Sequence, residues 1–100
     1  MLLSYARAYE QLDANAARAV WPGVDVRALT RAFNGLESQA VRFNGCEVSI
    51  AGAEARALCH GTTTYVPKIG SKDPRRLQHD WVFRLTKIGD AWKIRQSEIR

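Results

Sequence analysis

Residues 46–59 read Cys46-Glu47-Val48-Ser49-Ile50-Ala51-Gly52-Ala53-Glu54-Ala55-Arg56-Ala57-Leu58-Cys59. Apolar and polar side chains alternate on both sides of Gly52-Ala53, a pattern typical of two half-buried strands joined by a tight turn. If Ala51 pairs with Glu54 across that turn, Cys46 lies opposite Cys59 on the apolar side of the hairpin. The segment therefore predicts an antiparallel pair of strands with its register already set.

The two-residue period continues on both sides of this hairpin. A bulge or bend is expected at Asn44-Gly45, because both residues tolerate the backbone conformations that bulges require. A loop at 67–76 and a turn at 88–91 separate the later strands. The four predicted strands are 36–51, 54–66, 77–87 and 92–99. In the last hairpin, pairing Ile88 with Ala91 gives the partners Leu85–Ile94, Phe83–Gln96 and Trp81–Glu98.

The N-terminal third has helical spacing instead. Apolar residues at intervals of three and four predict a helix over 2–12. Asp13 and Asp25 are good N-caps for further helices over 14–20 and 26–33. The fold class is therefore α+β, with three N-terminal helices covering the apolar face of a curved antiparallel sheet of about four strands.

Length and composition set limits on function. One hundred residues, of which 46% are hydrophobic, form a single domain over 1–100. No apolar run approaches the ~20 residues of a membrane helix, and the start of the chain acquires charge too soon for a signal peptide. The net charge of +5 is spread along the chain, as expected of a solvated basic surface.

Four segments resemble the nuclear transport factor 2-like superfamily: Tyr5-Ala6-Arg7-Ala8-Tyr9-Glu10-Gln11-Leu12-Asp13, Val20-Trp21-Pro22-Gly23, Gly61-Thr62-Thr63-Thr64-Tyr65 and Gly89-Asp90-Ala91-Trp92-Lys93-Ile94. The likeness spans nearly the whole chain and is greatest to small uncharacterised bacterial domains. It implies a cone fold of the polyketide cyclase and ketosteroid isomerase kind, with a pocket at the open end. Members include isomerases, dehydratases and cyclases as well as non-enzymatic binding modules, so the fold does not choose a function.

Cys46 and Cys59 form a predicted cross-strand pair, which is the most specific local feature of the sequence. Directly opposed residues of two strands have Cβ atoms ~4.5–5.5 Å apart, which is close to disulfide geometry. The alternatives are a disulfide, which would place the chain in the periplasm or outside the cell, and two buried thiols in the bacterial cytoplasm. No metal site is expected, because two cysteines without a histidine on the same face supply too few ligands.

The predicted register makes His79 and Glu98 diagonal neighbours on the covered face. A histidine and a carboxylate beside an apolar pocket are candidates for acid–base catalysis, although no catalytic motif of the superfamily transfers residue by residue. The side chains expected to line that pocket are Tyr5, Tyr9, Trp21, Tyr65, Trp81 and Gln96. No cofactor is expected.

Basic residues raise a different class of function. Lys68, Lys72, Arg75 and Arg76 lie in the predicted loop, and Arg84 and Arg95 are expected opposite each other on the exposed face. The loop is a candidate for binding anions or nucleic acid, but no aromatic residues are interleaved with it, which disfavours nucleic acid. The exposed arginine pair suggests an anionic partner or a homodimer formed through the sheet, an arrangement frequent in the superfamily.

We therefore expect a non-enzymatic module. It would bind a small apolar or aromatic molecule, or a protein partner, in a pocket between the helices and the curved sheet. The first alternative is a small isomerase- or dehydratase-like enzyme that uses His79 and Glu98. The second is an anion- or nucleic-acid-binding domain that uses the loop at 68–76.

Overall fold

The computed structural model describes all 100 residues. Three helices precede a four-stranded antiparallel sheet whose strands are ordered as they occur in the chain. The helices are α1 (Leu2–Glu10), α2 (Ala14–Val20) and α3 (Val26–Asn34), and the strands are β1 (Leu36–Ala51), β2 (Glu54–Pro67), β3 (Arg75–Ile88) and β4 (Ala91–Ile99). The predicted α+β class and the layering of helices on a sheet are confirmed. None of the helices is long and apolar enough to cross a membrane.

Aspartates begin the second and third helices, as predicted. The carboxylate of Asp13 accepts a hydrogen bond from the Ala16 amide at 3.0 Å, and that of Asp25 accepts one from the Ala28 amide at 3.0 Å. Each cap satisfies an amide that the first turn of a helix leaves without a partner. The first helix is shorter than predicted, because it ends at Glu10 and Leu12 takes a left-handed φ of 54° that turns the chain toward Asp13.

The first hairpin has the predicted register. Ala51 pairs with Glu54 around the turn, and Cys46 pairs with Cys59. Asn44 is the extra residue of a bulge between Phe43 and Gly45, where a bulge was expected. The loop between β2 and β3 is shorter than the predicted 67–76, because Pro67 is the last residue of β2 and β3 begins at Arg75. Arg75 and Arg76 already pair with residues of β2.

The last hairpin, formed by β3 and β4, departs from its predicted register. Leu85 pairs with Ile94 as expected, but the next pair is Arg84 with Gln96, so that Arg95 is an extra residue in β4. A bulge of this kind shifts every later residue of its strand by one position. Trp81 therefore lies opposite Ile99, Phe83 opposite Ser97, and Val82 opposite Glu98. The predicted pairs Phe83–Gln96 and Trp81–Glu98 are wrong.

The core lies between the helices and the sheet face that they cover, which we call the inner face. Its largest fully buried side chains include Tyr5 of α1 and Trp81 and Phe83 of β3, each no more than 2% exposed. The Tyr5 and Phe83 rings meet edge to face with centroids 5.1 Å apart, and Phe43 meets Trp81 in the same way at 4.9 Å. Edge-to-face contacts of this kind add to the stabilisation that aromatic burial already gives.

Candidate functional site

The centre of the cone is filled by aromatic side chains. Tyr5 and Trp81 were expected to line a pocket, but they are only 2% and 1% exposed, which leaves no space for water beside them. Gln96 was expected there too, and the β4 bulge places it on the opposite face of the sheet, which we call the outer face. These three residues therefore do not line one common pocket, because two of them are packed in the core and the third lies on the other face.

The other predicted lining residues lie apart from one another. Tyr9 and Trp21 border a shallow depression of about 300 Å³ on the helical surface, together with Leu29 of α3. Tyr65 is half-buried in β2 between its sheet neighbours Gln39 and Arg75. These residues do not converge on one space.

His79 and Glu98 are on different faces of the sheet. His79 follows the inner-face alternation of β3, where its Nε2 lies 2.9 Å from the Thr63 hydroxyl and its ring meets the edge of Trp81. Glu98 pairs with Val82 and lies 3.6 Å from the Arg100 guanidinium. The prediction that they are diagonal neighbours is wrong, because it depended on a β4 without a bulge.

The phenols of the core do not supply a general base. The Tyr5 and Tyr9 rings stack with centroids 4.4 Å apart. Burial raises the pKa of both phenols above the ordinary value, chiefly by desolvating the charged form. Both hydroxyls are therefore protonated at neutral pH.

An open apolar groove lies beside this filled core, between the start of α1 and the sheet. It has a volume of about 400 Å³. All four strands and the first helix contribute to it. The residues lining this apolar groove are Met1, Leu2, Leu3, Val48, Ile50, Ala55, Leu85 and Trp92. All eight side chains are apolar, so the groove offers contact area without a side chain that transfers protons.

The floor and walls of the apolar groove differ in exposure. Leu85 is 6% exposed and belongs to the core, and Trp92 packs against the same core. On the walls, Leu3 is 65% exposed, Val48 53% and Ile50 66%. The β1–β2 hairpin runs beyond the cover of the helices here, which leaves the inner-face side chains of its tip in contact with solvent. The length of the predicted strand 36–51 indicates that the hairpin is long, but the sequence does not show where the helices stop covering it.

A polar cleft of about 380 Å³ lies near the other end of the sheet, where it is lined by both histidines of the chain together with Asp80 and Arg100. His60 and Asp80 are directly opposite residues of β2 and β3, and Nδ1 of the histidine lies 2.6 Å from the carboxylate. The hydrogen bond from His60 to Asp80, together with the negative charge of that carboxylate, raises the pKa of the imidazole. This pair was not predicted from the sequence. The alternation of side chains along β2 and β3 places His60 and Asp80 on the outer face, but it does not show that they are in contact.

The loop between β2 and β3, which carries the basic residues, is held by contacts within itself and to β1. Lys72 lies 3.3 Å from the Glu37 carboxylate and donates hydrogen bonds to the carbonyl oxygens of Pro67 and Lys68. Ser71 donates a hydrogen bond to Asp73 at 2.9 Å. These contacts engage one of the four basic residues and place carboxylates among them, which weakens the case for binding to a nucleic-acid backbone. The homodimer expected through the sheet stays a prediction.

Three solved bacterial structures with the same architecture have low sequence identity to this chain. A nuclear transport factor 2-like superfamily protein from Salmonella enterica is 9% identical with a TM-score of 0.87, over 99% of this chain and 84% of that one. A candidate dehydratase of the NTF2-like family from Streptomyces avermitilis is 15% identical with a TM-score of 0.83, over 98% and 89%. The hexachlorocyclohexane dehydrochlorinase LinA-type3 from Novosphingobium barchaimii is 6% identical with a TM-score of 0.78, over 99% and 80%.

By sequence, no protein-family model and no curated protein matches this chain. At identities this low, a structural likeness shows a shared fold and carries no residue roles. The neighbours include both proteins with enzyme names and one named only for its superfamily.

Proposed function

We propose that this chain uses its nuclear transport factor 2-like fold as a non-enzymatic module that binds a small apolar or aromatic molecule in the apolar groove. The observation that carries the proposal is the groove itself, which is open, is lined only by apolar side chains and has a volume of about 400 Å³. Ligand sites in proteins span roughly 300–1,000 Å³ and are mostly apolar.

The exposed walls supply the driving force. Leu3, Val48 and Ile50 are each more than half exposed, and covering such surface is favourable by about 25 cal/mol for each Å² of apolar area removed from water. Trp92 adds an aromatic ring beside the buried Leu85 floor, and aromatic ligands pack well against such a ring. A flat apolar or aromatic molecule fits this combination.

The lack of proton-transferring side chains in the apolar groove favours binding over catalysis. The apolar groove has no acidic or basic side chain in its lining, and His79 and Glu98 are held on opposite faces of the sheet. Acid–base chemistry needs a proton donor or acceptor within hydrogen-bonding reach of the substrate. The isomerase- or dehydratase-like alternative therefore has less support than the binding module.

The proposal is tested with N-phenyl-1-naphthylamine, a neutral probe whose fluorescence rises on transfer from water to an apolar site. We expect saturable binding to the wild-type chain and a loss of about fivefold in affinity for Ile50→Ser. That loss is about 1 kcal/mol, less than the roughly 1.5–3 kcal/mol of complete burial, because a ligand in an open groove covers only part of the side chain. Ile69→Ser is the matched control, because Ile69 is 90% exposed and lies in the β2–β3 loop outside the groove. Equal affinity for the wild-type and Ile50→Ser chains would overturn the proposal.

A further inference from the structure

Three arginines stand side by side on the outer face of the sheet. Arg56 of β2 is the direct partner of Arg84 in β3. Arg84 in turn faces the β4 bulge, where Arg95 and Gln96 together occupy the position of one residue. We call Arg56, Arg84 and Arg95 the arginine row. It crosses three adjacent strands, so its spacing is set by the hydrogen bonds of the sheet.

The arginine row is not neutralised within the chain. It lines a depression of about 550 Å³ whose only acidic residue is Glu54. Oε2 of that carboxylate lies 4.0 Å from Nη1 of Arg95, and Oε1 accepts a hydrogen bond from the Thr86 hydroxyl at 3.2 Å. Three guanidinium groups against one carboxylate leave two positive charges among the lining residues.

Such a row costs stability unless something binds to it. Like charges directly opposite each other in a sheet are unfavourable, and Arg56 and Arg84 are directly opposite. Arg95 lies on the same outward side, at the β4 bulge, and adds a third charge beside Arg84. Bulges re-aim side chains, and they are common beside functional sites.

We propose that the arginine row is a binding site for the dianionic phosphate group of a small phosphate monoester. Guanidinium groups present paired N–H donors that match phosphate oxygens, and each charge-assisted pair of this kind is about twice as strong as a neutral hydrogen bond. The excess of two positive charges balances the two negative charges that a phosphate monoester carries above its second pKa. The Ser49 hydroxyl, opposite Arg56 in β1 and part of the same lining, is a further donor. The arginine row lies on the outer face and the apolar groove on the inner face, and the two share Ile50 and Ala55 of the hairpin tip in their linings.

The test is a titration with phenyl phosphate at pH 8 and constant ionic strength, with chloride replaced in step, followed by NMR of the backbone amides and the arginine Nε–H groups. We expect saturable shifts centred on Arg56, Arg84 and Arg95. Inorganic phosphate should give the same map, because the phosphate group is the part recognised. Holding ionic strength constant keeps general screening of surface charges the same at every point.

Three variants separate a built site from general attraction to a basic protein. Arg84→Gln should weaken binding about tenfold, the expected loss of a charge-assisted hydrogen bond. Arg27→Gln removes the same charge from an exposed position of α3 and should change affinity less than twofold. Glu54→Gln should tighten binding about threefold, because it removes the carboxylate that competes for Arg95.

Equal weakening by Arg84→Gln and Arg27→Gln would overturn the proposal, since only net charge would then matter. Shifts centred on Lys68 and Lys72 would overturn it as well, by placing the anion on the β2–β3 loop. Retained amide dispersion in the Arg84→Gln spectrum shows that the variant is folded, so that a loss of binding is not a loss of structure.

Discussion

Cys46 in β1 lies directly opposite Cys59 in β2, and a disulfide joins their sulfur atoms. Cys59 is fully buried in the core, where its neighbour on the other side is Trp81 of β3. The bridge therefore links the two strands of the hairpin at the point where the hairpin enters the packed centre of the sheet. Beyond this link, the hairpin tip with Val48 and Ile50 is exposed.

Reduction of the disulfide should lower the free energy of unfolding by about 1–3 kcal/mol. The upper figure is the chain-entropy value for a loop of about 15 residues, and the tight turn already restricts this loop in the unfolded chain. Urea unfolding with and without a phosphine reductant measures the difference. A Cys46→Ser/Cys59→Ser double variant is the control, and its midpoint should not respond to reductant. A wild-type midpoint that also fails to respond would contradict the disulfide.

Gly61→Ala should destabilise the chain by at least about 1–3 kcal/mol, the usual cost of overpacking a core. A Cβ at this position would lie 2.1 Å from the carbonyl oxygen of Arg42 and 2.9 Å from a ring carbon of Trp81. The clash is with backbone and with a buried ring, so neither neighbour moves aside cheaply. Thermal unfolding of the purified variant measures the loss.

Gly45→Ala is the matched control for that substitution. Gly45 lies next to the Asn44 bulge in β1, its φ is not in the left-handed region, and nothing lies within 4 Å of the Cβ that alanine would add. Its midpoint should stay close to that of the wild type. Equal destabilisation by the two changes would show that the loss does not come from the close approach at Gly61.

Protonation of His60 should stabilise the folded chain through Asp80. Because its pKa is raised above the ordinary 6.5, the folded state binds this proton more tightly than the unfolded state does. The stabilisation is therefore fully present below pH 6.5 and is lost as pH rises through the folded pKa. NMR titration of the His60 ring should give a pKa above 6.5 in the wild type and a lower one in Asp80→Asn. A pKa that is unchanged by this variant would show that Asp80 does not cause the shift.

Much of the fold could be predicted because its signals are local. Asp13 and Asp25 mark the starts of two helices, and Gly52 permits the turn from which the whole register of the first hairpin follows. The β4 bulge at Arg95 could not be predicted, because neither residue of Arg95-Gln96 is a glycine or an asparagine that would mark an irregularity. One unmarked insertion moved Gln96 and Glu98 to the outer face and separated Glu98 from His79.

The candidate site was harder to predict than the fold. The sequence indicates that Tyr5, Trp81 and Phe83 face inward, but alternation does not tell whether their rings surround a space or fill it. That depends on how closely α1 approaches the sheet, which is a property of tertiary packing. The apolar groove has the same origin, since Val48 and Ile50 look like core residues in the sequence and are exposed only because no helix covers the hairpin tip.

The central claim is that the apolar groove binds an apolar or aromatic molecule, and methyl NMR tests it most directly. Naphthalene, a neutral aromatic hydrocarbon, is titrated into the chain carrying ¹³C-labelled methyl groups. We predict saturable shifts and intermolecular nuclear Overhauser effects at Leu3, Val48, Ile50 and Leu85, with none at Ile69. Shifts that are absent at those four residues, or that appear equally at Ile69, would contradict the account.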